Sequence, residues 1–95
     1  MEQLDLIREW LISVIAGMVT HQDAILVTYV EDEMGVLYSI KVHADDRGKV
    51  IGRQGEHAMA LRKLLRCAGM RFDVRASLKV DVPEREFKLK DEDRA

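Results

Sequence analysis

The chain has 95 residues, enough for one domain and too few for two separate cores. Its 47% hydrophobic and 34% charged content is that of a folded globule, which excludes global disorder, and one cysteine excludes an internal disulfide and points to a reducing compartment. The net charge of −2 argues against nucleic acid taken as a whole-molecule field, but the charges are unevenly placed: residues 1–46 sum to −7 and residues 47–66 to +5.

In chain order, residues 4–20 read as a helix, because Leu4, Ile7, Leu11, Val14, Ile15 and Met18 fall on one stripe at helical spacing. Leu6, Trp10, Ile12 and Val19 widen that stripe beyond what one sheet face needs. The longest apolar run, 11–19, is far shorter than the ~20 residues a membrane span needs, so no membrane insertion is expected. Glu2, Asp5 and Glu9 are wrong for a secretion signal, and a cytoplasmic location follows. Residues 24–31 are β-branched and aromatic and predict a strand. A polar turn through Gly35 leads to a second strand at 36–43, where Val36, Tyr38, Ile40 and Val42 alternate with polar residues. Asp45 or Asp46 is placed to cap a short helix through Ile51.

Gly52 to Gly55 interrupts that helix, and residues 56–69 form a longer one with Gly69 as its C′ residue. A loop at 70–73 precedes a third strand at 74–82, with Val74, Ala76, Leu78, Val80 and Val82 inward and Arg75, Ser77, Lys79 and Asp81 outward. Pro83 ends it. Residues 1–83 make the domain, and 84–95 read as a charged flexible tail. The order α-β-β-α-α-β predicts an α+β fold: a three-stranded mixed sheet, its second strand central, with all helices on one face.

The informative stretch is Asp46-Arg-Gly-Lys-Val-Ile-Gly-Arg-Gln-Gly-Glu-His. Two glycines three apart let the backbone turn sharply and let a bulky ligand approach without Cβ atoms between. The loop opens into a helix N-terminus, whose free N–H groups favour an anion, and Lys49 and Arg53 add cations. No Gly-Lys-Ser/Thr follows, so it is not a Walker loop. Taken alone, the glycine pair also fits a plain helix–helix turn.

Gly48-Lys49-Val50-Ile51-Gly52-Arg53-Gln54-Gly55 resembles the loop of KH domains, whose pattern is Ile-Gly-x-x-Gly with a basic residue in the variable pair. The element order resembles the type II branch, and length and motif come closest to the small bacterial single-KH proteins of the KhpA family. The resemblance covers about residues 4–83. It implies a protein that grips single-stranded RNA with the loop and acts in RNA metabolism, post-transcriptional regulation and cell-envelope regulation. It also implies a KH-containing protein partner. KH domains clamp about four nucleotides against the glycine loop. The residues expected to hold RNA are Lys49, Val50, Ile51, Gly52, Arg53, Gln54, Gly55, Arg62 and Arg66. By resemblance the groove lies between residues 46–69 and the strand 36–43, with Val50, Ile51, Ala58, Leu61 and Ile40 as apolar walls. The same residues, Leu61 and Ile40 above all, also suit a hydrophobic core. Arg62 and Arg66 lie one turn apart at the edge of the apolar arc, where they either reach phosphates or face water. Arg71 in the 70–73 loop is a weaker candidate.

Two departures from the family stand out: an unusually apolar first helix and an acidic first half. They support a rival reading, a protein-interaction module on the same fold with Leu6 and Trp10 as an exposed anchor. Self-association, as a homodimer, or a protein partner is expected through that side, since one KH groove binds weakly and either would raise avidity. No enzyme, cofactor or metal is expected: His21, His43 and His57 lack ligand-like spacing, and Cys67, near Leu64 and Ala60, reads as a buried structural thiol.

Overall fold

The computed structural model describes residues 2–81, so the expected tail at 84–95 lies outside the described residues. The order is α1 (Gln3–Ala16), β1 (Leu26–Asp32), β2 (Gly35–Lys41), α2 (Arg47–Ile51), α3 (Glu56–Arg71) and β3 (Ala76–Val80), with single 3-10 turns at Gln22–Ala24, Ala44–Asp46 and Arg53–Gly55. The sheet order is β1-β2-β3. Strand β1 is antiparallel to β2 with Val27 opposite Ile40, and β3 is parallel to β2 with Ala76 opposite Val36. This is the α+β arrangement expected of a type II KH domain.

Alternation puts Val27, Val36, Tyr38, Ile40, Ala76 and Leu78 on one buried sheet face, and Ile7, Leu11, Ile15, Leu61 and Leu65 of the helices close over it. Each Leu or Ile so buried stabilises the fold by ~1.5–3 kcal/mol. Leu26, Val30 and Leu37 lie on the opposite, exposed side, so the helices cover one face only. The Tyr38 ring is fully buried under α1, and its hydroxyl donates to Leu4 O at 2.8 Å. Burial pushes that phenol up to about 12, so it remains a donor at any working pH.

Several boundaries differ from expectation, β1 and β3 each starting two residues later, at Leu26 and Ala76. Helix α1 stops at Ala16, not at residue 20. The chain turns out there because the N–H groups of Thr20 and His21 are drawn to the Asp46 carboxylate, 26 and 25 residues away. Gln22 Nε2 donates to Ala16 O, one of the carbonyls left open at the helix end. The hairpin is tighter than drawn: Asp32 pairs with Gly35, and Asp32 Oδ1 accepts from Met34 N at 2.8 Å.

Gly69, expected just past α3, is instead inside it. The helix ends with Val74 N–H on Gly69 O and Asp73 N–H on Met70 O, a Schellman pattern with Asp73 at φ 57 as the left-handed residue. Asp can hold that conformation, so no glycine is needed there. Gly69 serves a different need. A Cβ on it would sit 2.4 Å from Val74 O, where the chain turns back along the helix into β3.

Gly48 and Gly69 are both helical, but a Cβ on Gly48 would meet nothing within 4 Å. Gly48→Ala should therefore raise stability by ~0.5–1 kcal/mol through the unfolded chain's lost freedom. Gly69→Ala should lower it by ~1–3 kcal/mol through overpacking. Urea unfolding of the two variants checks the opposite signs.

Candidate nucleic-acid interface

The Gly-x-x-Gly segment is a compact left-handed turn between α2 and α3. Gly52 has φ 77 and ψ 171, Gln54 φ 59 and ψ 25, and Gly55 φ 77 and ψ 15. Gly55 N–H closes on Gly52 O at 3.2 Å, and the exposed Arg53 and Gln54 form the tip. A Cβ on Gly52 would strike the His57 ring at 2.6 Å, so the first glycine is required by packing as well as by its φ. No side chain caps the start of α3, which leaves its first N–H groups facing outward from the turn.

A buried carboxylate holds this turn in place. Asp46 is wholly enclosed and accepts from Thr20 N at 3.1 Å, His21 N at 2.9 Å and His21 Nδ1 at 3.1 Å, with Lys49 Nζ at 3.2 Å. Burial alone would push the carboxyl up, but the His21 and Thr20 N–H groups, the His21 ring and the Lys49 ammonium outweigh it and hold it well below the usual carboxylate range. The expected Asp cap on α2 is thus replaced. Asp46 stands at the N-cap position but its carboxylate caps no N–H of the helix, and reaches back to the α1–β1 link and across to the Lys49 ammonium instead. His43 does the local capping, its Nδ1 accepting from Asp45 N at 3.1 Å.

The expected site residues separate into two groups. Val50 is fully buried in the core, and so are Ile40, Leu61 and Ala58, so these side chains offer no wall to a base. Lys49 is committed to Asp46 and to Thr20 Oγ1, so it acts as a tie between α2 and the α1–β1 link. Ile51 is half-buried, and Arg53, Gln54, Arg62 and Arg66 are exposed.

Arg62 and Arg66 do not border the central strand. They line a groove of about 780 Å³ between α3 and the edge strand β3, together with Arg75 and Met70. With β2 central, as expected, β3 lies at the sheet edge beside α3. Arg75 O accepts from Val36 N and Asp81 N donates to Ile40 O, so the odd residues of this segment turn their backbone inward and Ala76 and Leu78 face the groove. Arg62 Nε lies 3.5 Å from Leu78 O, a long contact across the floor. Arg75 was legible in sequence only as an outward residue, because nothing local brings it opposite Arg62.

Two further expectations change. Arg71 is in the last turn of α3, its guanidinium 5.0 Å from the Phe72 ring, on the opposite flank of the helix. Cys67 is exposed and lines an apolar groove with Leu6, Trp10, Leu64 and Phe72. Trp10 itself is half-buried against the core, whereas Leu6 and Leu64 are exposed.

His21 and His43, distant in sequence, stack with ring centroids 3.8 Å apart and planes inclined by 11°, beside Asp45. An imidazole lone pair lies in its ring plane, so one ion cannot lie in line with both of these nearly parallel rings. The pair therefore reads as packing around Asp46.

With this geometry in view, the comparisons decide the family. Residues 8–82 match the KhpA/KhpB KH-domain family. The chain belongs to that family. It is similar to the RNA-binding protein KhpA of Listeria monocytogenes, at 30% identity over 77% of this chain and 96% of that one. It is also similar to the RNA-binding protein KhpA of Mycobacterium leprae, at 42% identity over 73% of this chain and 80% of that one. A third relative, the RNA-binding protein KhpA of Bacillus subtilis, is 28% identical over 78% of this chain and 91% of that one. These relatives bear the names of RNA-binding proteins and not of enzymes. No solved structure shows a significant match. Among the described residues no helix is long and apolar enough to cross a membrane.

The Asp46 linkage has a definite sign. Its carboxyl is held below the unfolded value, so its contribution to stability is full at neutral pH and declines as pH falls through the ordinary carboxylate range near ~4. Asp46→Asn should lower the melting temperature at pH 7 and flatten the loss of stability on the acid side. Thermal melts of the parent and variant across that range check both.

Proposed function

We propose that the chain binds single-stranded RNA, with the Gly52–Gly55 turn against the sugar-phosphate backbone. The observation that carries this is the turn itself. Three of its four residues have positive φ, its tip bears Arg53 and Gln54, and it opens into the uncapped start of a 16-residue helix. Such a surface presents N–H donors and a cation to an anion. Arg62 and Arg66 follow along α3, about 9 and 15 Å from its start by helical rise, and extend the positive track toward Arg75. Ile51 offers the partly exposed apolar contact at the start of the turn. Residues 1–83 form the binding unit, acting in the cytoplasm in RNA metabolism or post-transcriptional regulation. Single strands are favoured over duplex, because bases must be splayed to enter a groove of this kind.

Arg53→Asp combined with Gln54→Asp tests the turn. Asp tolerates the left-handed φ at position 54 and is favoured at a helix start, so the fold should persist. RNA affinity should fall by at least ~100-fold, since charge-assisted contacts become repulsive. Circular dichroism and a gel shift on a short single strand read the two effects, and an unchanged affinity in the folded variant rejects the turn as the clamp. For the parent, affinity should fall steeply with added salt, as phosphate binding requires.

A second contact surface has its own observation. Leu6 and Leu64 stand exposed at 45% and 50% beside the groove holding Trp10, Cys67 and Phe72. We assign it to a second copy of the chain. On the α1 side the exposed Glu9, paired with Arg8 at 2.6 Å, stands above the groove, and the α3 side carries Lys63 and Arg71, so a twofold axis brings Glu9 toward a basic rim. A KH-containing partner of the family kind would compete for the same face. Leu6→Glu with Leu64→Glu should convert dimer to monomer in sedimentation without loss of fold, because neither side chain is in the core. A parent that is monomeric at high concentration removes the homodimer.

A further inference from the structure

We propose that His57 is a proton-gated phosphate ligand on the glycine turn, so that RNA is held more tightly as pH falls below neutrality. This rests on the RNA reading above and extends it to a residue outside the Gly-x-x-Gly pattern. His57 Nδ1 lies 2.6 Å from Lys49 O. A carbonyl only accepts, so Nδ1 carries a hydrogen whether the ring is neutral or charged. Nε2 is therefore the atom that changes: a bare lone pair in the neutral ring, an N–H in the imidazolium. Among the described residues Nε2 has no hydrogen-bond partner, and the residue is exposed.

The ring is also fixed where a phosphate would arrive. It packs on Gly52, where an added Cβ would lie 2.6 Å from His57 Cγ and 2.9 Å from Nδ1. The bond to Lys49 O and the contact with Gly52 together hold the imidazole against the first glycine of the turn. Charged groups flank it on each element it touches. From α2, Lys49 supplies its carbonyl, while its ammonium is committed to Asp46 and Thr20. From the turn comes Arg53, and from α3 the adjacent Glu56. With Lys49 engaged, Arg53 is the turn's own fixed cation, and protonation of His57 adds a second. A neutral Nε2 facing a phosphate oxygen sets acceptor against acceptor, whereas the imidazolium donates a charge-assisted bond. Histidine makes this change between about pH 5 and pH 8.

The test uses the whole chain and a labelled oligouridylate of about eight nucleotides, twice the length a KH groove clamps. Uracil takes up no proton in this range, so the probe itself is silent. The parent should bind about five-fold more tightly at about pH 5.5 than at about pH 8. His57→Gln keeps a donor for Lys49 O but cannot charge, and its affinity at the lower pH should drop to the parent's level at the higher one. In NMR titrations, the midpoint of the His57 ring signals should move to higher pH when RNA is added, as linkage requires. A His57→Gln variant that keeps the parent's pH response overturns the proposal and passes the effect to His21 or His43. A His57 midpoint unmoved by saturating RNA overturns it as well. Either result leaves the turn's own role standing, provided Arg53→Asp/Gln54→Asp still abolishes binding. If that double variant binds like the parent, or the parent binds at neither pH, the RNA reading and the His57 role fail together.

Discussion

The carboxylate of Asp46 is the constraint on which the rest of this domain depends. A charge enclosed by protein is tolerated only when donors surround it, and here they come from separate parts of the chain. The N–H groups of Thr20 and His21 arrive from the α1–β1 link, and the ammonium of Lys49 from α2. Meeting that requirement ends α1 at Ala16, sets the entry into β1 and fixes α2 against both. The glycine turn hangs directly from α2, so its position relative to the sheet follows from a side chain that never meets the ligand. The His21–His43 stack walls off one side of the same carboxylate.

The sequence revealed the fold wherever its signal was local and periodic. Strict alternation at Val36, Tyr38 and Ile40 and at Ala76 and Leu78 marked the buried face, and the spacing of Ile7, Leu11 and Ile15 marked the buried stripe of α1. What escaped was set by contacts between distant segments. Helical periodicity continues past Ala16, so nothing local shows that Asp46 pulls the chain aside. Gly69 looked like a helix terminator because glycine usually is one. Its real constraint is the Val74 carbonyl packed against it. Cys67 sits at an apolar-looking spacing, yet it lines the open groove between α1 and α3 and stays exposed.

The candidate site was legible to a similar degree. The turn at residues 52–55 could be marked because glycine spacing and charge are properties of neighbours in sequence. Lys49 looked like a phosphate ligand for the same reason, but a buried carboxylate one helical turn away claims its ammonium. The groove beside Arg62 and Arg66 runs along β3, and Arg75 joins it only through the long crossover that returns the chain to the sheet edge. Helix α3 consequently has three distinct sides. Ala58, Leu61, Leu65 and Gly69 face the core, Arg62 and Arg66 face β3, and Leu64, Cys67 and Ala68 face α1. One amphipathic helix thereby separates a cationic surface from an apolar one.

The parallel pairing of β3 bears on how the domain assembles. Strands β1 and β2 meet across a two-residue turn, whereas Val36 must find Ala76 across both intervening helices. Closing the longer loop costs more chain entropy, and local elements form sooner than distant ones. The hairpin and helices therefore come together before β3 docks, and the cleft between α3 and β3 has no second wall until it does. The cationic cleft thus takes its second wall from the strand that closes the largest loop of the sheet.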